Sequence, residues 1–243
     1  MSRFADRVAV VAGATGAIGG ATARALAGEG ASLLLLGRDE ARLLEIGAEL
    51  EAGDGAVRTV AGDLTGQAAV GEAGAAAESL GDGVDLLVHA AGAFRAGPVE
   101  SAPTGDLDLQ FAVNVRAPYL LTRRLLPALR ARRGLVVFVN STAGLGAAPG
   151  GAAYAASKHA LRAVADGLRA EVNADGVRVL SVYPGRTRGR MQREVCRSLG
   201  QHYDAERFLD PADVATAIVD AAALPPSAEV YDLRLRPASK PRL

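Results

Sequence analysis

Apolar runs of strand length alternate along this chain with alanine-rich segments of helical length. The strand-like runs are "RVAVVAG" from Arg7, "ASLLLLG" from Ala31, "AVRTVAG" from Ala56, "VDLLVHAAG" from Val84, "GLVVFVNS" from Gly134, "VRVLSVY" from Val177 and "EVYDLRLR" from Glu229, seven in all. Alternation of this kind marks βαβ units. Their near-continuous Val and Leu content, without regular polar positions between, is what strands buried on both faces require. The pattern therefore predicts a doubly wound α/β fold in which a seven-stranded parallel sheet is flanked by helices on both faces. The segment "GEAGAAAESLGDG" from Gly71 is biased to alanine and glycine and predicts a loosely packed surface helix.

Composition narrows the function. At 243 residues and 49% apolar content, the chain can bury one sizeable core as a single domain spanning residues 1–243. Its 27 basic residues balance 27 acidic ones and are spread along the chain, which leaves no field for a nucleic acid or an anionic membrane. Cys196 is the sole cysteine, so neither an internal disulfide nor a thiolate metal cluster is expected, and a reducing cytoplasm fits. No run approaches the length of a membrane span, and no charged leader precedes the first apolar run at Val8, so the chain reads as soluble and not exported.

The first strand-to-helix turn, "AGATGAIGG", spaces Gly13, Gly16 and Gly19 by three. Glycines there allow a tight turn and let backbone N–H groups reach a pyrophosphate, whose charge the next helix N-terminus favours. No Gly-Lys-Ser/Thr follows, which argues against a nucleotide triphosphatase. The second strand ends in "LGRDEARL", where dinucleotide folds read the adenosine ribose. The acid that would bind a free 2′-hydroxyl is missing from the strand end, and Arg38 suits a 2′-phosphate, so NADP(H) is favoured with NAD(H) as the alternative. Asp39 either turns toward ribose hydroxyls or caps the helix beginning "EARLLEI"; the cap is the plainer role.

Tyr154 and Lys158 stand four apart in "AAYAASKHA", one helical turn, so their heads can meet. Ser141 ends the fifth strand-like run 13 residues before Tyr154, and Asn114 stands 27 residues before Ser141. These intervals resemble the short-chain dehydrogenase/reductase family in its compact single-domain subtype, a Rossmann-like fold. Further matches are "GDL" at Gly62, "HAAG" at His89 and "YPGRT" at Tyr183. The resemblance implies a catalytic tetrad of Asn114, Ser141, Tyr154 and Lys158. It also implies that the cofactor is held by Gly13, Thr15, Gly16, Ala17, Ile18 and Gly19, by Arg38, and by Asp63 and Leu64. Farther along, His89, Ala90, Ala91 and Gly92, then Asn114, Tyr154 and Lys158, and lastly Pro184, Gly185 and Thr187 complete the implied set. Three departures stand out. Ala17 replaces a glycine common in the compact subtype, His89 and Ala90 replace two asparagines, and the C-terminus lacks the glycine-rich ending common in fatty-acid ketoreductases. His89 also reads as a packed strand-end histidine, and with His159 and His202 scattered, no metal site is expected.

The residue types suit the chemistry. Hydride delivery to a carbonyl leaves an alkoxide that needs a proton, and a phenol near its reference pKa of about 10 is roughly 4 kcal/mol too weak an acid at neutral pH. A cation about 4 Å away at an effective dielectric of about 20 is worth a similar amount, so Lys158 is a sufficient cause in principle. Ser141 would hydrogen-bond the substrate oxygen where charge develops. By the resemblance, Lys158 would also hold the nicotinamide ribose, and Asn114 would hold a water linking that lysine to solvent.

In this family the region from Gly185 to Phe208 is the substrate lid. Met191, Val195 and Leu199 recur every four residues there, predicting a helix with one apolar stripe that closes over a ligand. Arg190, Arg193 and Arg197 form a separate basic stripe, read as a solvated face, with docking of an anionic acyl carrier as the alternative. Ser141, Leu145, Tyr154, Met191, Val195 and Leu199 are the candidate substrate contacts. The expected activity is NADP(H)-dependent interconversion of a small ketone or aldehyde and its alcohol. A 3-oxoacyl-carrier-protein reductase, a non-enzymatic dinucleotide sensor and a nucleotide-sugar epimerase are the competing readings. A sensor would typically lack part of the tetrad, and an epimerase would carry a larger C-terminal substrate domain. The resemblance also implies a homodimer or homotetramer, with the small residues Ala155, Ala156, Ala160 and Ala163 permitting close helix approach across a two-fold axis.

Overall fold

The structure, a computed structural model, describes residues 2–51 and 55–238. Its strands are β1 (Val8–Ala12), β2 (Ser32–Gly37), β3 (Val57–Ala61), β4 (Leu86–His89), β5 (Leu135–Val139), β6 (Arg178–Pro184) and β7 (Asp232–Leu235). The helices are α1 (Ala17–Gly28), α2 (Glu40–Leu50), α3 (Gln67–Glu78), α4 (Thr104–Phe111), α5 (Ala117–Arg132), α6 (Ala152–Val172), α7 (Arg190–Ser198) and α8 (Pro211–Ala222). A π-helical turn, Ala112–Arg116, joins α4 to α5. All seven strands pair in parallel in the order β3-β2-β1-β4-β5-β6-β7, a doubly wound Rossmann-like sheet.

The apolar runs divide between two cores because successive strand residues point to opposite faces. Ala9 and Val11, Leu33 and Leu35, and Val137 and Val139 pack beneath α1, α2 and α8 with Leu26, Ile46 and Ile218. Val10, Leu34, Leu36, Val136 and Phe138 face α3, α5 and α6 with Ala73, Leu121 and Leu161. A strand covered by helices on both faces excludes unpaired polar side chains, so β1 and β5 read as unbroken apolar runs, while β2 has Ser32 only at its start and β4 ends on His89, which is hydrogen-bonded. β3 and β7 depart from that pattern: "VRTVA" and "DLRL" carry polar residues within the strand and are at most partly buried. They are the sheet edges, where one flank is not covered by a neighbouring strand.

α3 departs from the expected loose packing. Ala69, Val70, Ala73 and Ala77 are buried, and a Cβ on Gly74 would meet the Arg124 guanidinium from α5, so the missing side chain lets the two helices close up. Arg124 then reaches Glu78 at 2.7 Å. Among the described residues no helix is long and apolar enough to cross a membrane.

The strand order reverses direction between β1 and β4, whose Ala12 and His89 are register partners. In open parallel sheets the crevice beyond the carboxyl ends of the strands at such a switch point is where ligands bind.

Candidate active site

Two backbone approaches shape that crevice. Gly13 has φ +85°, and a Cβ there would fall on the Ala91 nitrogen and lie 2.7 Å from the Ala90 carbonyl carbon. Glycine is therefore demanded by both conformation and space, and the turn after β1 sits directly on the loop after β4. Gly19 has its own reason: a Cβ would fall on the Gly13 carbonyl oxygen. With the turn drawn in this tightly, α1 starts at the crevice floor. Its N-cap, Gly16, offers no side-chain acceptor, and its first turn carries no acidic residue, so the leading N–H groups remain available to an anion.

A cavity of about 850 Å³ runs from this floor in both directions. One end is basic. Arg38, just past β2, lies there with Arg24 of α1 and Arg42 of α2. Arg24 pairs with Glu49 at 2.7 Å and Arg42 with Glu45 at 2.6 Å, whereas Arg38 has no ion pair among the described residues. Asp39 is committed to capping α2, accepting from the Arg42 N–H at 3.1 Å, so the acidic reader of a ribose is spent on the helix. Asp63 and Leu64 line the same end, and Asp63 accepts from the Thr65 N–H at 3.0 Å, which with Arg38 nearby holds its carboxyl below the usual range. Arg24 and Arg42 escaped sequence reasoning because nothing along the chain ties helix-surface arginines to a strand end.

At the other end Ser141, Tyr154 and Lys158 converge. β5 delivers Ser141 into a short turn, and α6 presents Tyr154 and Lys158 one turn apart from its first residues. Lys158 is 3% exposed; its Nζ donates to the Val139 carbonyl at 3.0 Å and lies 5.9 Å from the Tyr154 ring centroid. Burial pushes the ammonium down to about 8. Desolvation pushes the Tyr154 phenol up, and it is the Ser141 hydroxyl that opposes this. The Lys158 ammonium lies against the ring while donating to the β5 carbonyl, so burial of the phenol is the larger influence on it. Phe94 meets the Tyr154 ring edge-on, with centroids 5.1 Å apart.

Asn114 sits in the π-helical turn, fully buried. Its amide donates to the Ala93 carbonyl and to Ser157 Oγ, both at 2.9 Å, and accepts from the Ala93 N–H at 2.8 Å. Four residues earlier, Gln110 accepts from the Arg95 N–H at 3.0 Å. The two amides pin alternate residues of the loop after β4, and the residue between them is Phe94. Neither Asn114 nor Gly19 lines the cavity; both act by holding backbone in place.

Of the remaining expected contacts, Thr15, Gly16, Ala17 and Ile18 line the cavity, as do Ala90, Ala91 and Gly92, and Pro184, Gly185 and Thr187. Met191, Val195 and Leu199 line it too, so the apolar stripe of α7 does face inward. Two candidates do not belong. Leu145 lies outside the cavity wall, because the turn after Ser141 carries it away. His89 is buried on the α5 side of β4, where its Nε2 meets Thr122 Oγ1 at 2.8 Å and its ring stacks on Phe138 at 5.0 Å, its register partner. Strand alternation turns its imidazole away from the cofactor crevice. Among the small residues of α6, Ala155 is buried and lines the cavity, leaving Ala156 and Ala163 exposed.

Burial pushes the His89 imidazole down to about 3. The unfolded chain therefore binds a proton that the folded one refuses between about pH 3 and 6.5, so this histidine's contribution is intact above pH 6.5 and lost as pH falls below it. At pH 5 the loss should be about 2 kcal/mol. Urea titrations of wild type and His89→Asn at pH 7.5 and pH 5 should show a smaller acid loss in the variant. Equal losses would remove His89 as the cause.

A switch-point crevice with an uncapped helix start, a basic end and a Ser-Tyr-Lys end defines a dinucleotide-dependent oxidoreductase. The chain belongs to the short chain dehydrogenase family, whose model matches residues 7–199. It is 29% identical over 239 residues to an uncharacterized oxidoreductase of Staphylococcus saprophyticus, covering 98% of this chain and all of that one. Among solved structures it is similar to an alcohol dehydrogenase of Thermococcus sibiricus complexed with 5-hydroxy-NADP (TM-score 0.88, 28% identity, 98% of this chain and 99% of that one). It is similar also to L-sorbose reductase of Gluconobacter frateurii complexed with NADPH and L-sorbose (TM-score 0.87, 25% identity, 98% of each chain).

Proposed function

We propose that this protein is an NADP(H)-dependent carbonyl reductase or alcohol dehydrogenase acting on small, free, hydrophobic ketones or aldehydes. The observation that carries this reading is the convergence of Ser141, Tyr154 and Lys158 on one end of a cavity whose other end holds Arg38. The residues between fit a dinucleotide: unsatisfied N–H groups at the start of α1 for the pyrophosphate, and three arginines where a 2′-phosphate would lie.

The nicotinamide would supply or accept the hydride. Ser141 would hold the substrate oxygen, and Tyr154, whose desolvated phenol keeps its proton, would donate it as charge develops on that oxygen. Lys158 would orient the ribose and keep a positive charge beside the ring. Asn114 would secure the loop that carries Phe94.

The lid reading of residues 185–208 rests on Met191, Val195 and Leu199 lining the cavity together with Phe94, Ala96 and Pro149. These apolar side chains suit a hydrophobic substituent, while Arg186, Arg188, Arg190, Gln192 and Gln201 of the same segment add polar groups to the wall. The basic stripe beside them is partly engaged: Arg193 lies 4.7 Å over the Tyr203 ring, while Arg190 is 86% exposed and 4.0 Å from Glu194. That favours a solvated face over an acyl-carrier dock. A ketone panel scored with NADPH and NADH tests the reading. Free hydrophobic ketones should be reduced, NADPH should bind more tightly than NADH, and Arg38→Ala should erase that difference. A wild-type preference for NADH, or for carrier-linked β-ketoacyl substrates, would overturn it.

The same reading places the enzyme in the cytoplasm as a homodimer or homotetramer. Leu107 and Phe111 of α4 and Tyr119 of α5 are exposed, as are Ala156 and Ala163 of α6, which suits helix packing between copies. Light scattering at micromolar concentration should find no monomer.

A further inference from the structure

One buried amide connects the two halves of the reacting end. Asn140, between the end of β5 and Ser141, is 3% exposed, and its backbone N–H donates to the Val182 carbonyl of β6 at 2.8 Å. Its side chain works in two directions. Oδ1 accepts from the Ser141 N–H at 2.9 Å, and Nδ2 donates to the Lys158 carbonyl of α6 at 3.0 Å. Lys158 is thus tied to consecutive residues at the end of β5, by its ammonium to the Val139 carbonyl and by its own carbonyl to Asn140, the residue after the strand.

The slot that holds this amide is built by a glycine. A Cβ on Gly144 would fall on Asn140 Oδ1 and lie 3.1 Å from both Asn140 Cγ and the Lys158 carbonyl oxygen. Gly144 has no positive φ to explain its identity, so the reason for glycine here is the space the amide occupies. The turn that carries Ser141 closes through the Gly144 N–H donating to the Ser141 carbonyl at 2.9 Å, which presses Gly144 onto the amide.

We propose that Asn140 is a positioning residue that sets the separation of Ser141 from Lys158, with Gly144 shaping its slot. This rests on the reading of Ser141, Tyr154 and Lys158 as the reacting groups. An apolar residue at 140 would leave the Ser141 N–H unpaired and free the strand end to shift against α6. A shift of about 1 Å in a reacting group costs on the order of 10²-fold in rate. The dinucleotide's other anchors, at Gly13 to Ile18 and at Arg38, would not move.

The test measures kcat, ketone KM and NADPH Kd for Asn140→Ala, Gly144→Ala and the double variant. Each single change should lower kcat by about 10–10²-fold while leaving NADPH Kd within about two-fold. The decisive result is epistasis. In the Asn140→Ala background the severe clash with Oδ1 is gone and only the 3.1 Å approach to the Lys158 carbonyl oxygen remains, so Gly144→Ala should cost markedly less than it does in wild type. If Asn140→Ala does not fold, Gly144→Ala paired with Asn140→Ser reads the same slot. Unchanged kcat in both single variants, or fully multiplicative losses in the double variant, would overturn the proposal. Retention of activity by Tyr154→Phe would instead overturn the underlying reading, so the two failures are told apart.

Discussion

Tyr154→Phe is expected to remove most turnover, by about 10²–10⁴-fold, while the fold and NADPH affinity stay close to wild type. The phenol lies beside the Ser141 hydroxyl and desolvation keeps it protonated, whereas the Lys158 ammonium donates to the Val139 carbonyl. The ring itself remains in phenylalanine. Its edge-on packing against Phe94 and its place beneath Lys158 should therefore survive, and melting temperature should barely move. Ser141→Ala should lose less, about 10²–10³-fold, because it withdraws one hydrogen-bond donor and leaves the proton source in place. Near wild-type kcat in Tyr154→Phe, at saturating ketone and NADPH, would sink the proton-transfer mechanism.

Gly13→Ala is expected to be the most destabilising single change at the cofactor end. A left-handed backbone at a non-glycine residue costs about 1–2 kcal/mol. Here the new methyl would also be driven into the backbone of Ala90 and Ala91, and overpacking of that kind adds about 1–3 kcal/mol. The sum, about 2–5 kcal/mol, should lower the melting temperature by roughly 2–4 °C for each kcal/mol in a domain of this size. Because relief of the clash would separate the turn after β1 from the loop after β4, NADPH affinity should fall as well. Gly71→Ala is the control: it lies inside α3 with open space around it, and should be neutral or stabilising by about 0.5–1 kcal/mol. Equal melting temperatures for the two variants would show that Gly13 is not under the constraint described.

Much of the fold is legible along the chain because burial on both faces of a sheet leaves little room for polar positions. β1, β2, β4 and β5 could hardly be anything else. β3 and β7 were legible as strands but not as edges, since "VRTVA" and "DLRL" state only that one flank is wetter. The reacting groups were legible for a different reason. Tyr154 and Lys158 share a helix, where spacing of four fixes a common face, and the intervals to Ser141 and Asn114 match a family pattern.

What the sequence by itself determined, then, is local: which segments are strands, which turn must be glycine, and which residues lie one helical turn apart. Tertiary structure decided everything that depends on which face of a strand meets which helix. Strand alternation, read through the β4–β5 register, sent His89 to Phe138 and Thr122 and away from the cofactor crevice. Helix packing put Arg24 and Arg42 on the wall of the cavity that Arg38 also lines, and the hydrogen bonds of Asn114 and Gln110 hold the residues on either side of Phe94, whose ring meets Tyr154. Lys158 lies against the Tyr154 ring as its helical spacing implied, and the tertiary structure added the Val139 carbonyl as acceptor of its ammonium. Each of these outcomes joins residues far apart in sequence through a three-dimensional register that no period of 2 or 3.6 along the chain encodes.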